Sequence, residues 1–275
     1  MKNIIKRIKL ANFLGYKHIY QRIRHPETSG SIEKKIVFVA GNQRSGTNMV
    51  MDTFEKSLIT DVYHETDKRA FDNYFMRDKK TIHRLFSRSS AKVFIIKALL
   101  ESQKLNSLLK EFAPAKAIWV YRNYDDVVNS MMVSFNNMAV QAARIAKNPK
   151  SSGWLGENMS EKTHALIREM VGDQIDDASA SALQWYYRNV LFFEQNLHQN
   201  SNVSLIKYEN LVSNPEQEFD QLFRFVGAEF DRKFVKTIFA SSIKKKSPRK
   251  IKPEIKSICE DLMHKFESAL IERKS

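Results

Sequence analysis

Four short apolar segments, separated by amphipathic stretches, run through most of the chain. They are rich in β-branched and aromatic residues, which is typical of buried strands; they are IVFVAG (36–41), VFIIKAL (93–99), KAIWVYR (116–122) and VSLIKYE (203–209). The stretches between them repeat apolar residues at helical spacing, as in Val50, Met51, Phe54 and Leu58. Strands that alternate with helices predict a three-layer α/β/α fold with a central parallel sheet, whose site lies at the carboxyl ends of the strands.

Two further helical regions are predicted beside this sheet. Turn-forming residues are concentrated between residues 148 and 160, and helical patterns follow, which indicates a helical insertion over about 148–200. A final amphipathic helix is predicted over 253–272, where Pro253 suits the first turn.

The N-terminus predicts a separate surface helix. One face of this helix is formed by Ile4, Ile5, Ile8 and Ala11, with lysines beside it. Such a helix either docks on the protein itself or touches an anionic membrane. We therefore expect a basic helical extension over 1–30 and a single domain over 31–275.

The basic residues are concentrated in two segments. The 275 residues include 45 Lys and Arg against 31 Asp and Glu, which gives a net charge of +14. Residues 1–25 contain seven of the basic residues and 241–252 contain six, and neither segment contains an acid. The rest of the chain is nearly neutral, so the surplus indicates anionic partners for these two segments only.

The composition restricts the class of protein. A hydrophobic content of 43% is typical of a folded, soluble chain. The one cysteine, Cys259, excludes a disulfide framework within the chain. No apolar run approaches the roughly 20 residues of a membrane span, and the basic N-terminus lacks the apolar core of a secretory signal. These features predict a cytoplasmic protein.

The strongest local signal is the segment IVFVAGNQRSGTNMVMDTF. A buried strand ends at Gly41, a short polar loop follows, and an amphipathic helix begins near Asn48. Backbone N–H groups of such a loop and helix start bind an anion, which the helix dipole also favours. The spacing from Gly41 to Gly46 is similar to a Walker A loop, but Thr47 occupies the position of the kinase lysine and Arg44 is the only cation of the loop.

Two more cations are predicted at strand ends. Arg122 ends one strand, and Ser130 follows it two turns into the next helix, so a guanidinium fork and a hydroxyl are available to a phosphate. Lys97 closes another strand that is otherwise apolar. Burying a lysine there is costly unless it meets an anion, so Lys97 also indicates an anion site.

Together these motifs resemble those of sulfotransferases that use 3′-phosphoadenosine 5′-phosphosulfate (PAPS). The family carries a 5′-phosphosulfate loop of the form [KR]SGT[TS] after its first strand. The matching residues are Arg44, Ser45, Gly46 and Thr47, and Asn48, which can also donate to a phosphate, takes the place of the last Thr or Ser.

Two further blocks extend the resemblance over most of the chain. The 3′-phosphate signature of the family, RxPxDxxxS, is matched by Arg122, Asp126 and Ser130, with Tyr124 in place of the proline. The segment LIKYENLVSNPEQEFDQLFRFVGAEF resembles a third family block, in which Tyr208 would reach the adenine. The spacing is closest to the tyrosylprotein and carbohydrate branches of the family.

The resemblance also implies catalytic roles. Glu65, in YHETD, corresponds to the general base of the tyrosylprotein branch, and His64 is the alternative base. Arg44 and Lys97 would stabilise the developing charge. No metal-ligand cluster is apparent, and sulfuryl transfer requires no metal in principle.

In the family, a loop before the last helix closes over the nucleotide. The basic segment 241–252 occupies this place in the sequence. The resemblance therefore implies nucleotide contacts from Ser247, Arg249, Lys250 or Lys252.

The resemblance implies an enzyme that moves a sulfuryl group from PAPS to a hydroxyl or amine. A cytoplasmic location and a basic N-terminus favour a glycan or lipid-linked sugar as acceptor, with peripheral contact between residues 1–25 and the anionic inner face of a membrane. One alternative is a P-loop nucleotide kinase, which the missing Walker lysine opposes. The other is a non-catalytic polyanion-binding protein, which leaves the three strand-end cations unexplained. We do not expect a nucleic-acid partner.

Overall fold

Seven short strands occur in the part of the chain that the structure describes. The computed structural model describes residues 2–24, 34–243 and 245–273. The side chains of Ile4, Ile5 and Ile8, for which a shared helix face is predicted, lie outside the described part. In chain order the strands are β1 (Lys35–Gly41), β2 (Thr60–Tyr63), β3 (Phe71–Asp72), β4 (Phe75–Met76), β5 (Val93–Lys97), β6 (Ala115–Tyr121) and β7 (Val203–Lys207).

Five of these strands form one parallel sheet in the order β2-β5-β1-β6-β7, and β3 and β4 form a separate antiparallel hairpin. The four predicted strands are therefore confirmed. Strand β2 was not predicted because it reads Thr-Asp-Val-Tyr and lacks an apolar run. The register pairs Val39 with Lys97 in β5, and Gly41 with Val120 in β6, so neighbouring strands end at the same edge.

Helices surround the sheet. In the described part of the chain they are α1 (Lys2–Arg24), α2 (Thr47–Glu55), α3 (Lys79–Arg88), α4 (Leu105–Glu111), α5 (Tyr124–Ser134), α6 (Met138–Lys147), α7 (Glu161–Val171), α8 (Asp177–Asn189), α9 (Leu191–Glu194), α10 (Tyr208–Ser213), α11 (Pro215–Val226) and α12 (Pro253–Glu272). None of the helices within these described ranges is long and apolar enough to cross a membrane.

Each face of the sheet has its own hydrophobic core. Successive residues of a strand point to opposite faces, so β1 contributes Ile36 and Phe38 to one core and Val37 and Val39 to the other. The first core is completed by residues of α5, α8 and α12, and the second by residues of α2 and α11. The predicted three-layer α/β/α fold with a central parallel sheet is thus confirmed.

The helices between α5 and β7 are part of the core. They begin with α6 at Met138, earlier than the predicted start near residue 148, because only the three residues 135–137 separate α5 from α6, with Asn137 at φ 59°. Helix α8 packs against α5 and α12. Its Trp185 is fully buried, and the indole N–H donates to the Arg122 carbonyl at 2.9 Å. The helix therefore supports the end of β6.

The first and last helices hold the two edges of the sheet. At the β2 edge, the Gln21 amide of α1 donates to the carbonyls of Leu58 and Thr60 at 2.9 and 2.8 Å. In the same helix, Lys17 donates to the Glu55 carbonyl at 2.7 Å, and burial lowers the pKa of this lysine to about 8. At the β7 edge, Arg273, which follows α12, donates to the Val203 carbonyl.

A substitution at Trp185 measures how much α8 supports the strand end. The variant Trp185→Phe keeps most of the buried ring but leaves the Arg122 carbonyl without its donor. We expect the free energy of unfolding to fall by about 1–3 kcal/mol in urea denaturation, the cost of an unsatisfied buried acceptor. The control Tyr186→Phe alters a half-buried neighbour and should change this free energy by less than about 0.5 kcal/mol. Equal effects of the two substitutions would contradict this assignment.

Candidate active site

The loop between β1 and α2 is shaped by residues in the left-handed region. Arg44 has φ 65° and Gly46 has φ 94°. A Cβ atom on Gly46 would lie 2.2 Å from the Tyr208 ring, and one on Gly41 would lie 2.2 Å from the Val120 carbonyl oxygen. Neither contact is tolerable, so both positions require glycine. Helix α2 begins directly after Gly46, and its first N–H groups therefore face the same space as the loop.

This loop also contains buried polar atoms that point to an anion. Ser45 is fully buried, and its hydroxyl has no hydrogen-bond partner in the described part of the chain. Thr47 is buried beside it at the start of α2. An unpartnered buried hydroxyl is costly, and a phosphate oxygen at the start of α2 would satisfy it.

The second predicted motif lies against the first. Arg44 Nε donates to Ser130 Oγ at 2.8 Å, which joins the loop to α5. The guanidinium of Arg122 lies 4.4 Å from the centre of the Tyr208 ring, and its Nη2 lies 3.4 Å from Asp126 Oδ2. The structure therefore brings together the predicted residues of three separate motifs at the carboxyl ends of β1, β6 and β7.

The start of α5 is fixed by Glu209, which was not predicted as a site residue from the sequence. Glu209, next to Tyr208, accepts the backbone N–H of Asn123 at 3.0 Å, and burial raises the pKa of this carboxyl. Tyr124, in place of the family proline, is buried and packs against Trp185 with ring centres 5.8 Å apart. The turn after Arg122 is thus held by packing rather than by a proline ring.

Lys97 and Glu65 form an ion pair inside the cleft. The Lys97 side chain is only 3% exposed and Glu65 is 17% exposed. Lys97 Nζ also donates to Asn48 Oδ1 at 2.7 Å, which ties the end of β5 to the start of α2. The buried lysine expected to meet an anion therefore meets the predicted base itself.

His64 is directed away from the cleft. Its Nε2 lies 3.4 Å from Glu55 Oε2 and 3.9 Å from Asp52 Oδ1, both on α2. These three side chains are the group of potential metal ligands that the described residues contain. No such cluster is apparent in the sequence, because His64 is brought to α2 only by the fold. The structure brings Glu65, and not His64, to the cation-rich cleft.

The basic segment reaches the site through residues other than those expected. Lys245 and Lys246 line a cavity of about 350 Å³ together with Arg44, Arg122 and Ser130. These two lysines were missed because the run of basic residues has no periodicity from which their direction could be read.

Three of the residues of this segment that were expected to contact the nucleotide contact other parts of the protein instead. The Asn129 amide donates to the Ser247 carbonyl at 3.1 Å, and Arg249 Nε donates to Asn129 Oδ1 at 3.2 Å, so both hold the segment on α5. Lys252 Nζ donates to the Gln174 carbonyl at 2.6 Å, away from the site. Neither Lys250 nor Lys252 lines the cavities that contain Arg44.

The main cleft, of about 760 Å³, is lined by apolar residues as well as by the cations. These apolar residues, called the apolar wall below, were not predicted as site residues from the sequence; they are Tyr74, Phe75, Leu99, Leu100, Phe135 and Trp154. Two of them lie on the β3–β4 hairpin, where Asn73 and Tyr74 have φ 47° and 70°. The sequence Phe-Asp-Asn-Tyr-Phe-Met contains an Asp-Asn pair that is a weak hairpin signal.

A buried carboxyl holds this hairpin. Glu101 Oε1 accepts the Met76 N–H at 2.8 Å, and burial raises the pKa of Glu101 to about 7. The hairpin thereby presents Tyr74 and Phe75, which are 60% and 48% exposed, at the mouth of the cleft.

Comparison with known proteins identifies this arrangement. The family model of the sulfotransferase domain matches residues 34–269. The sulfotransferase domain from the curacin biosynthetic pathway superposes with a TM-score of 0.57 at 14% identity, over 85% of this chain and 99% of that one. The sulfotransferase domain of the Synechococcus PCC 7002 olefin synthase gives 0.55 at 12% identity, over 86% and 97%. No curated protein is significantly similar in sequence.

The structural similarities establish the fold, and the family model covers both phosphate motifs and the Tyr208 block. The resemblance stated from the sequence is therefore confirmed. The chain belongs to the sulfotransferase domain family, and it is a PAPS-dependent sulfotransferase.

Proposed function

We propose that this enzyme sulfates a hydroxyl of an acceptor with both polar and apolar parts, such as a lipid-linked sugar, and that Glu65 is the general base. The observation that carries the proposal is the Lys97–Glu65 ion pair, which lies in a cleft lined both by cations and by the apolar wall. An amine acceptor would use the same base.

The residues present fit the cosubstrate. PAPS supplies the sulfuryl group and a phosphate leaving group. The buried Ser45 hydroxyl and the start of α2 suit its 5′-phosphosulfate, and Arg122 with Ser130 suits its 3′-phosphate. Tyr208 supports this surface, because its ring packs between Gly46 and the Arg122 guanidinium. Lys245 and Lys246 add positive charge beside the same residues.

Glu65 and Lys97 act together in this mechanism. The Glu65 carboxylate takes the acceptor proton as the acceptor oxygen bonds to sulfur and the sulfur–phosphate oxygen bond breaks. Protonation removes the negative charge that pairs with Lys97, and the ammonium group is then balanced by the charge on the leaving oxygen. Asn48, which accepts from Lys97, keeps the ammonium group in place throughout.

The apolar wall supports the choice of acceptor. A highly charged free glycan would gain little from the exposed rings of Tyr74 and Phe75 or from the buried Leu99 and Leu100 that line the same cleft. Aromatic side chains bind the apolar faces of sugar rings as well as lipid chains, which suits a lipid-linked sugar. A screen of glycan, lipid-linked sugar and simple phenol acceptors with labelled PAPS tests this assignment, and exclusive use of phenols would contradict it. The cytoplasmic location stays a prediction from the sequence.

Nucleotide binding is tested with 3′-phosphoadenosine 5′-phosphate. At about 100 times its Kd this ligand should add roughly 2.7 kcal/mol of stability, read from thermal unfolding. Arg122→Ala removes a charged phosphate contact and should raise the Kd by about 10- to 100-fold in calorimetry. The control Arg224→Ala removes an exposed arginine of α11 that pairs with Asp220, and should leave the Kd unchanged. Stabilisation by ATP, without stabilisation by this ligand, would favour the kinase alternative.

The base is tested by Glu65→Gln, once an acceptor is in hand. Turnover should fall by about 10²- to 10⁴-fold in the labelled-donor assay, because the amide cannot take the acceptor proton. Nucleotide affinity should change little. His64→Asn is the matched control, because His64 is directed toward α2, and it should retain near-wild-type turnover. Loss of activity in His64→Asn, with retention in Glu65→Gln, would show that the base is assigned to the wrong residue.

The apolar wall is tested by Phe75→Ala. Removal of this ring should raise the acceptor KM by about tenfold, since it takes apolar area from the cleft mouth and leaves the reacting groups in place. The nucleotide Kd should not change. Phe239→Ala, at a residue that is 68% exposed elsewhere, provides the control. An unchanged KM in Phe75→Ala would place the acceptor outside this wall.

A further inference from the structure

Helix α1 docks with its polar side and leaves an apolar side in solvent. The side chains that face the protein are Lys17 and Gln21, which are 3% and 1% exposed. Tyr16, Ile19 and Ile23 are 58%, 60% and 73% exposed. This is the reverse of an ordinary surface helix, whose apolar stripe faces the core. The described part of the chain therefore leaves this stripe uncovered.

The exposed residues form a continuous row. Positions 16, 19 and 23 fall on one helical face, and the sequence repeats isoleucine at matching spacing at positions 5 and 8. The same segment carries seven basic residues and no acidic residue through position 25. Isoleucine and tyrosine on one face with basic residues around them are typical of a helix that lies in a membrane interface.

The direction of α1 follows from its contacts along β2. Gln21 contacts Leu58 and Thr60 at the beginning of β2, whereas Leu14 and His18 line a cavity with His64 after its end. Helix α1 therefore runs antiparallel to β2. Its earlier residues extend toward the strand ends, where Glu65 lies.

We propose that α1 is an interfacial helix through which the enzyme binds the surface of an anionic bilayer. The apolar row would enter the boundary between headgroups and acyl chains, and the basic residues would contact anionic headgroups. A second copy of the chain suits this face less well, because it would bring two strongly basic helices together. The proposal goes beyond the assigned reaction and does not depend on it.

Co-sedimentation with vesicles tests this proposal on the full chain. We expect binding to phosphatidylcholine vesicles that contain phosphatidylglycerol, and little binding to phosphatidylcholine alone. The double variant Ile19→Asn with Ile23→Asn should reduce the partition coefficient by about tenfold or more, because two apolar side chains leave the interface. The double variant Arg22→Gln with Arg24→Gln should also reduce it by about tenfold, and added salt should weaken wild-type binding.

The matched control is His18→Asn, a polar substitution at an exposed position of α1 outside the row, which should bind as the wild type does. Thermal unfolding and stabilisation by 3′-phosphoadenosine 5′-phosphate report separately on whether each variant is folded. Three results would overturn the proposal. The first is that the wild type does not bind anionic vesicles, and the second is that the isoleucine double variant binds them as well as the wild type does. The third is that light scattering shows a dimer for the wild type and a monomer for the isoleucine double variant, while neither protein binds vesicles.

Discussion

The parallel register of β5, β1 and β6 is the constraint on which the rest of the site depends. It ends three strands at one edge, so Lys97, Arg44 and Arg122 enter the same cleft from three different segments. Cations held this close repel one another unless anions lie between them. Glu65 and Asp126 supply part of that charge, and the remainder suits a bound anion. The glycine at position 41 follows from the same constraint, because Gly41 can approach Val120 in this register only without a side chain.

The sequence was sufficient for most of this framework. The apolar strands, the loop around Gly46 and the lysine at the end of β5 leave local signals, because each combines a buried run with a residue that is costly there. Strand β2 leaves no such signal, since half of its four residues are polar, and its pairing with β5 is a long-range event. The sequence also does not show in which direction a side chain after a strand end points. For this reason Glu65 and His64 both stayed candidates for the general base. Lys245 and Lys246 lie in a segment without periodicity, so only the fold could distinguish them from Lys250 and Lys252.

The cations and the exposed rings of the cleft come from different parts of the fold. Lys97, Arg44 and Arg122 lie at or shortly after the ends of central strands, whereas Tyr74 and Phe75 lie on the separate β3–β4 hairpin. The hairpin is attached to the domain by the buried Phe71 ring and by the Glu101 carboxyl, whose second oxygen is buried without a partner among the described residues. Such a division allows the acceptor side to vary in sequence while the nucleotide side is preserved, which suits a family of enzymes that share one donor.

The contacts of Gln21 and Arg273 have a consequence for solubility. Each binds a backbone carbonyl on an outer strand of the sheet, that of Thr60 in β2 and that of Val203 in β7. Open strand edges are templates on which other chains can add strands and aggregate. The contacts from α1 and from the end of α12 therefore cover part of these edges. Removal of either segment would expose an edge strand and favour aggregation, even with the active site intact.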